Sequence, residues 1–234
     1  DGTLAGTTLV ADIATGTSYG TSSSSIHFLT AVGDILYFSA DDRSHGVELW
    51  KSDGTSAGTT LVADIWPGTA IPGDASTAYF SAPAYLTAVG DTLYFSADDG
   101  SHGREFWRSD GTSAGTELVA DIYPGVYVPL SPGSRPRPAW SAPSRFEVVG
   151  TTLFFTADDG KSGRELWKSD GTSAGTALVA DIRKGFNQPG NARTAFSSSI
   201  FYLAAIGDIL YFQANDGIHG NELWKSDGTV AGTT

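Results

Sequence analysis

The tripeptide Asp-Gly-Thr, followed after one residue by Ala-Gly-Thr, begins at Asp1, Asp53, Asp110, Asp170 and Asp227 of this 234-residue chain. A chain that repeats at intervals of 52, 57, 60 and 57 residues builds one supersecondary unit several times, and periods of this size point to propellers or solenoids. Landmarks divide each period. Ile13, Ile65, Ile122 and Ile182 each lie 12 residues after an Asp-Gly-Thr, and Val32, Val89, Val149 and Ile206 each lie 21 residues before the next. From each of these isoleucines to the next of the second landmarks the separation is 19, 24, 27 and 24 residues, so these stretches carry all of the length variation. They read as loops on a constant scaffold.

Four strands fit the scaffold of each period. In the second copy they run near Tyr85–Val89, over Thr92–Ala97, over Arg104–Arg108 and over Glu117–Ile122. Gly90-Asp91 is a hairpin dipeptide, and turn clusters bound the other strands. No segment holds an i, i+3, i+4 apolar pattern over ten or more residues, and with 29 glycines a helical reading fails. Four short antiparallel strands per period make the blade of a β-propeller. The chain opens on a fourth strand, Thr8 to Ile13, and ends just after a third, Glu222 to Trp224. The expectation is therefore an all-β, four-bladed propeller whose N-terminal strand closes the ring and removes its open edges. Repeat units run about 1–52, 53–109, 110–169 and 170–226, with 227–234 a redundant turn in a single domain. That extra turn leaves open the alternative of a slice from a longer array.

The copies Glu48-Leu-Trp-Lys-Ser-Asp-Gly-Thr55, Glu105-Phe-Trp-Arg-Ser-Asp-Gly-Thr112, Glu165-Leu-Trp-Lys-Ser-Asp-Gly-Thr172 and Glu222-Leu-Trp-Lys-Ser-Asp-Gly-Thr229 resemble the ELWxxDGT repeat of mostly bacterial, often secreted proteins. The resemblance covers all four periods and implies a propeller-like extracellular or cell-surface region with no generally assigned activity. The Ser-Asp-Gly-Thr turn is also similar to the Asp-box of sialidases, without its usual spacing.

Recurrence itself argues for structural roles. Asp53, Asp110, Asp170 and Asp227 sit where a carboxylate accepts hydrogen bonds from its own turn. Trp50, Trp107, Trp167 and Trp224 read as packing between blades. Glu48, Glu105, Glu165 and Glu222 share a strand face with those rings and, if buried, need a salt bridge or backbone amides as partners. Asp42, Asp99, Asp159 and Asp216, in the turns between second and third strands, are candidate calcium ligands, because calcium takes six to eight oxygens and these turns supply carboxylates and carbonyls. They lack the ligand run of an EF-hand, and no cofactor is required by the sequence.

Recognition is expected where the copies differ, because loops held by a rigid frame vary freely. The stretches 66–85, 123–145 and 183–201 carry aromatic residues among Ser, Gly, Pro and Asn, and cations in an otherwise acidic chain. The candidate ligand-binding residues are Trp66, Tyr79, Tyr123, Tyr127, Arg135, Arg137, Trp140, Arg183 and Phe186. Fourteen Lys and Arg against 26 Asp and Glu argue against nucleic acid or anionic lipid as a partner. No apolar run is long enough for a membrane-spanning helix, and the lack of cysteine removes disulfides and thiolate chemistry. The reading is a noncatalytic, extracellular module that holds a glycan or an apolar small molecule. The alternative is a structural or adhesion repeat acting by self-assembly or protein contact. A sialidase-like hydrolase fits less well, since the arginines fall in only some loops without a matching acidic pair.

Overall fold

The computed structural model describes residues 2–15, 23–127, 136–185 and 195–234. Four antiparallel sheets follow one another along them. Sheet I contains β1 (His27–Val32), β2 (Ile35–Asp41), β3 (Val47–Ser52) and β4 (Thr60–Ala63), and sheet II contains β5 (Ala84–Val89), β6 (Thr92–Asp98), β7 (Arg104–Ser109) and β8 (Glu117–Ala120). A two-stranded ribbon, β9 (Val126–Tyr127) with β10 (Arg137–Pro138), precedes sheet III, made of β11 (Ser144–Val149), β12 (Thr152–Asp158), β13 (Arg164–Ser169) and β14 (Ala177–Ala180). Sheet IV has three strands, β15 (Phe201–Ile206), β16 (Ile209–Asn215) and β17 (Asn221–Ser226). The four expected strands per copy are thus present in sheets I to III.

The core lies between sheets. Leu49 and Val62 of sheet I pack with Leu86, Phe95 and Trp107 of sheet II, and the same layer recurs between II and III and between III and IV. Because both faces of a middle strand meet a neighbouring layer, β6 is buried from Leu93 to Ala97, which explains an apolar run where a one-sided sheet would alternate. Each first strand carries a bulge. Tyr85 takes a left-handed φ of 58°, and the shifted register sends Leu86 into the core.

Glutamate ties each sheet to the next. Glu48 accepts the amide of Ile65 (3.0 Å), the amide of Ser81 (2.7 Å) and the hydroxyl of Ser81 (2.5 Å). Glu105 accepts the same set from Ile122 and Ser141, and Glu165 from Ile182 and Ser198. The partners foreseen for these carboxylates are therefore amides, joined by a serine hydroxyl that the repeat pattern left unremarked. The Asp-Gly-Thr turns also behave as read: Asp53 accepts the amide and hydroxyl of Thr55.

The expected closure of the ring by the N-terminal strand is not shown. Residues 8–13 form no strand and do not join β17. Ile13 packs instead beside Phe38, Ala40 and Trp50 of sheet I, as Ile65 packs on the matching residues of sheet II. The position beside Lys225 that Thr8 would need is held by Thr234, which exchanges two backbone hydrogen bonds with Lys225 at 2.8 and 3.0 Å. Among the described residues no sheet closes on itself.

Candidate functional site

The variable loops lead from the last strand of one sheet to the first of the next, and their opening residues have a common task. Trp66, Tyr123 and Arg183 directly follow Ile65, Ile122 and Ile182. Each lies over a turn glycine of the following sheet. A Cβ on Gly100 would stand 2.4 Å from the Trp66 ring, one on Gly160 2.1 Å from Tyr123, and one on Gly217 3.1 Å from Arg183 Nε. In sheet I the loop residue is the small, buried Ala14, and the matching turn position carries Arg43 at φ 68°. A large loop side chain thus goes with glycine beneath it, a small one with a side chain there.

Above these contacts the loops diverge. Trp66 stacks on Tyr79, with centroids 5.1 Å apart and planes 12° from parallel. The Arg183 guanidinium sits 4.7 Å over the Phe196 ring. Tyr123, Tyr127 and Trp140 come together in a cleft of about 260 Å³ that also takes in Asp158, Gly163 and Ala195. Tyr127 meets Trp140 edge-on at 5.7 Å and 64°, so the two rings form the walls of a corner. The β9–β10 ribbon sets this corner by pairing Tyr127 with Arg137, whose side chain is exposed. Trp140 remains 44% exposed, and Asp158 at the edge accepts the Gly160 amide at 2.7 Å. The third loop therefore gathers Tyr123, Tyr127, Arg137 and Trp140. Trp66 with Tyr79, and Arg183 with Phe196, form separate groups, and Arg135 and Phe186 lie outside the described residues.

The candidate calcium ligands are engaged in their own turns. Asp42 accepts the amides of Ser44 and His45 and faces His45 Nδ1 at 2.7 Å; Asp99 and Asp216 repeat the pattern with His102 and His219, and Asp159 with the amides of Lys161 and Ser162. Burial raises the Asp42 carboxyl, but the hydrogen bonds from His45 and Ser44 outweigh it and hold the group below its ordinary value. Asp64 moves the other way: burial, with Asp42 nearby and His45 opposing, pushes it up. Among the described residues no three metal-ligating side chains converge.

One row of side chains escaped the sequence reading. Phe28, Tyr85, Arg145 and Tyr202 occupy the bulge of each first strand, all at φ between 54° and 58°. Phe28 reaches Tyr85 at 5.6 Å, and Arg145 lies 4.2 Å over Phe201. Three aromatics and one arginine at matching positions were the available signal, but a bulge leaves no clear mark in an alternating pattern.

No family model matches the chain, and no curated protein matches it. Among solved structures it is similar to a puromycin hydrolase mutant complexed with PGG, with a TM-score of 0.51 and 18% identity over 89% of this chain and 28% of that one. It is also similar to the GH74 xyloglucanase from Xanthomonas campestris, with a TM-score of 0.38 and 15% identity over 84% of this chain and 28% of that one. The first likeness is one of fold and agrees with sheets of the β-propeller type. No helix among the described residues is long and apolar enough to cross a membrane.

Proposed function

We propose that the chain is a noncatalytic recognition module, working outside the cell or on its surface, that holds a glycan or an apolar small molecule in the cleft of Tyr123, Tyr127 and Trp140. The observation that carries the reading is the aromatic corner: two rings held edge to face, one of them 44% exposed, beside the Asp158 carboxylate, with Arg137 paired across the ribbon from Tyr127. Such a corner takes a sugar ring or a flat hydrophobe by stacking, while Asp158 and Arg137 orient hydroxyls. The β9–β10 pairing sets the corner without ligand, which lowers the ordering cost of binding.

No cofactor enters this reading, and a calcium ion at the Asp42-type turns would be an addition to it. Titration of a glycan array and of apolar dyes, read by tryptophan fluorescence, tests the proposal. Saturable binding that falls at least about tenfold in Trp140→Ala supports it. Trp140 is partly exposed, so the variant keeps its fold. Binding unchanged in Trp140→Ala and Tyr127→Ala, or no binding to either class, overturns it.

A further inference from the structure

We infer that Arg145 and Arg164 of sheet III form a binding site for an oxyanion, a carboxylate, sulfate or phosphate group carried by a ligand. Sheet III packs against a neighbouring sheet on each side, so the site lies within the array of repeats. It shares no residue with the cleft of Tyr123, Tyr127 and Trp140. The two guanidiniums meet at one oxygen. Arg164 Nη1 donates to Ser144 Oγ at 3.3 Å, and Arg145 Nη1 approaches the same oxygen at 3.5 Å. Two positive charges drawn to a single hydroxyl repel each other, and arginine does not escape the repulsion by losing its proton.

No carboxylate balances the pair. Arg43 and Arg108 have partners in Asp41 and Glu117, whereas neither Arg145 nor Arg164 forms an ion pair among the described residues. Asp158 stands opposite Arg164 across the strand pair, but one of its oxygens accepts the Gly160 amide at 2.7 Å. Burial holds the Arg164 guanidinium below its ordinary value; Asp158 opposes this, and Arg145 pushes it further down.

The sister sheets separate a structural arginine from an additional one. In sheet II, Arg104 stands where Arg164 does and donates to the carbonyls of Ala82, Ser81 and Ser96 at 2.9, 3.3 and 3.2 Å. Arg164 repeats this with Ala142, Ser141 and Thr156 at 2.8, 3.2 and 3.3 Å, so its task is to tie the loop end to the sheet. Arg145 has no such counterpart. Its bulge position carries Phe28, Tyr85 and Tyr202 in the other sheets, so an aromatic ring satisfies the bulge, and Arg104 has the uncharged Tyr85 for a companion. Only sheet III has arginine at both positions, since sheet I pairs Phe28 with Val47 and sheet IV pairs Tyr202 with Asn221. The extra guanidinium is also preset for a ligand. It lies 4.2 Å over the Phe201 ring and is half-buried. The approach to Ser144 is its one hydrogen bond among the described residues, which leaves most of its five N–H donors without a protein acceptor. An oxyanion there takes charge-assisted, bidentate hydrogen bonds and relieves the repulsion between the two cations.

The test is isothermal titration calorimetry of the 234-residue chain with sodium glucuronate, sulfate and phosphate, each in chloride buffer. Saturable binding of at least one is expected, and the tightest of the three assigns the group. Arg145→Tyr, which gives sheet III the bulge residue of sheet II, should weaken that binding at least about tenfold with circular dichroism unchanged. Arg145→Lys keeps the charge without the planar fork and should lose less. The bound anion should also raise the melting temperature of the wild type and leave that of Arg145→Tyr where it was. No saturable binding of any of the three, or binding equal in the wild type and Arg145→Tyr, overturns the inference.

Discussion

Ser141 gives Glu105 both its backbone amide, at 2.7 Å, and its hydroxyl, across 36 residues of sequence and the boundary between two sheets. Ile122, at the end of the same sheet as Glu105, supplies a third hydrogen bond. One carboxylate therefore fixes where a fourth strand ends and where the next sheet begins. Both residues are fully buried, so solvent cannot replace either partner.

Removing that acceptor should be expensive. Glu105→Ala leaves two amides and a hydroxyl buried without partners and is expected to lower unfolding free energy by about 3 kcal/mol or more. Ser141→Ala removes one donor and should lower it by about 1–2 kcal/mol. Chemical denaturation of both checks the ranking; an effect of Ser141→Ala equal to or larger than that of Glu105→Ala would contradict the clamp.

The same burial sets a pH dependence. It raises Glu48 and Glu105 to about 7 and Glu165 to about 8, with the serine and isoleucine hydrogen bonds working against it. A carboxyl raised on folding is stabilising below its unfolded value near 4.5 and loses that contribution as pH rises through 7 to 8. His45 and His102, raised by Asp42 and Asp99, act in the same direction, losing their contribution as pH rises past the ordinary histidine range. The lowered carboxyls of the Asp-Gly-Thr turns oppose this only in stronger acid. The melting temperature should therefore fall between pH 5 and 8. Glu105→Gln, uncharged throughout, should flatten part of that fall, and a melting temperature rising over the interval would refute it.

Gly160 tests the link between scaffold and cleft. Its φ of 72° disfavours any side chain, and a Cβ would overlap the Tyr123 ring. Gly160→Ala should destabilise the fold and weaken ligand binding together. Gly150→Ala, at φ 61° with open space around it, should cost only about 1 kcal/mol and leave binding alone. Parallel thermal melts and binding titrations separate the two.

Calcium offers a fourth check. The Asp42, Asp99, Asp159 and Asp216 carboxylates already accept two amides each from their own turns. Adding a chelator should leave the melting temperature where it was. A rise with millimolar calcium, lost in Asp42→Asn, would instead assign the ion to these turns.

Strand positions and turn chemistry were legible in the sequence because both are local. Gly90-Asp91 closes its hairpin, Asp53 caps its own turn, and the run from Leu93 to Ala97 is a strand wherever the sheet lies. The need of Glu105 for a partner was equally plain, since a carboxylate beside a core tryptophan has few alternatives. Tertiary structure alone decided that the partner is Ser141, that Trp66, Tyr123 and Arg183 lie over glycines of the following sheet, and that the third loop gathers Tyr123, Tyr127 and Trp140 into a cleft. It also decided the place of Thr8 to Ile13. Its place in the repeat marks that segment as a fourth strand, but which edge it meets depends on the packing of the whole chain, and Thr234 already holds the one beside Lys225. Local sequence fixes conformation through turns and periodicity; competition between distant surfaces for the same partner is settled only when the whole chain is packed.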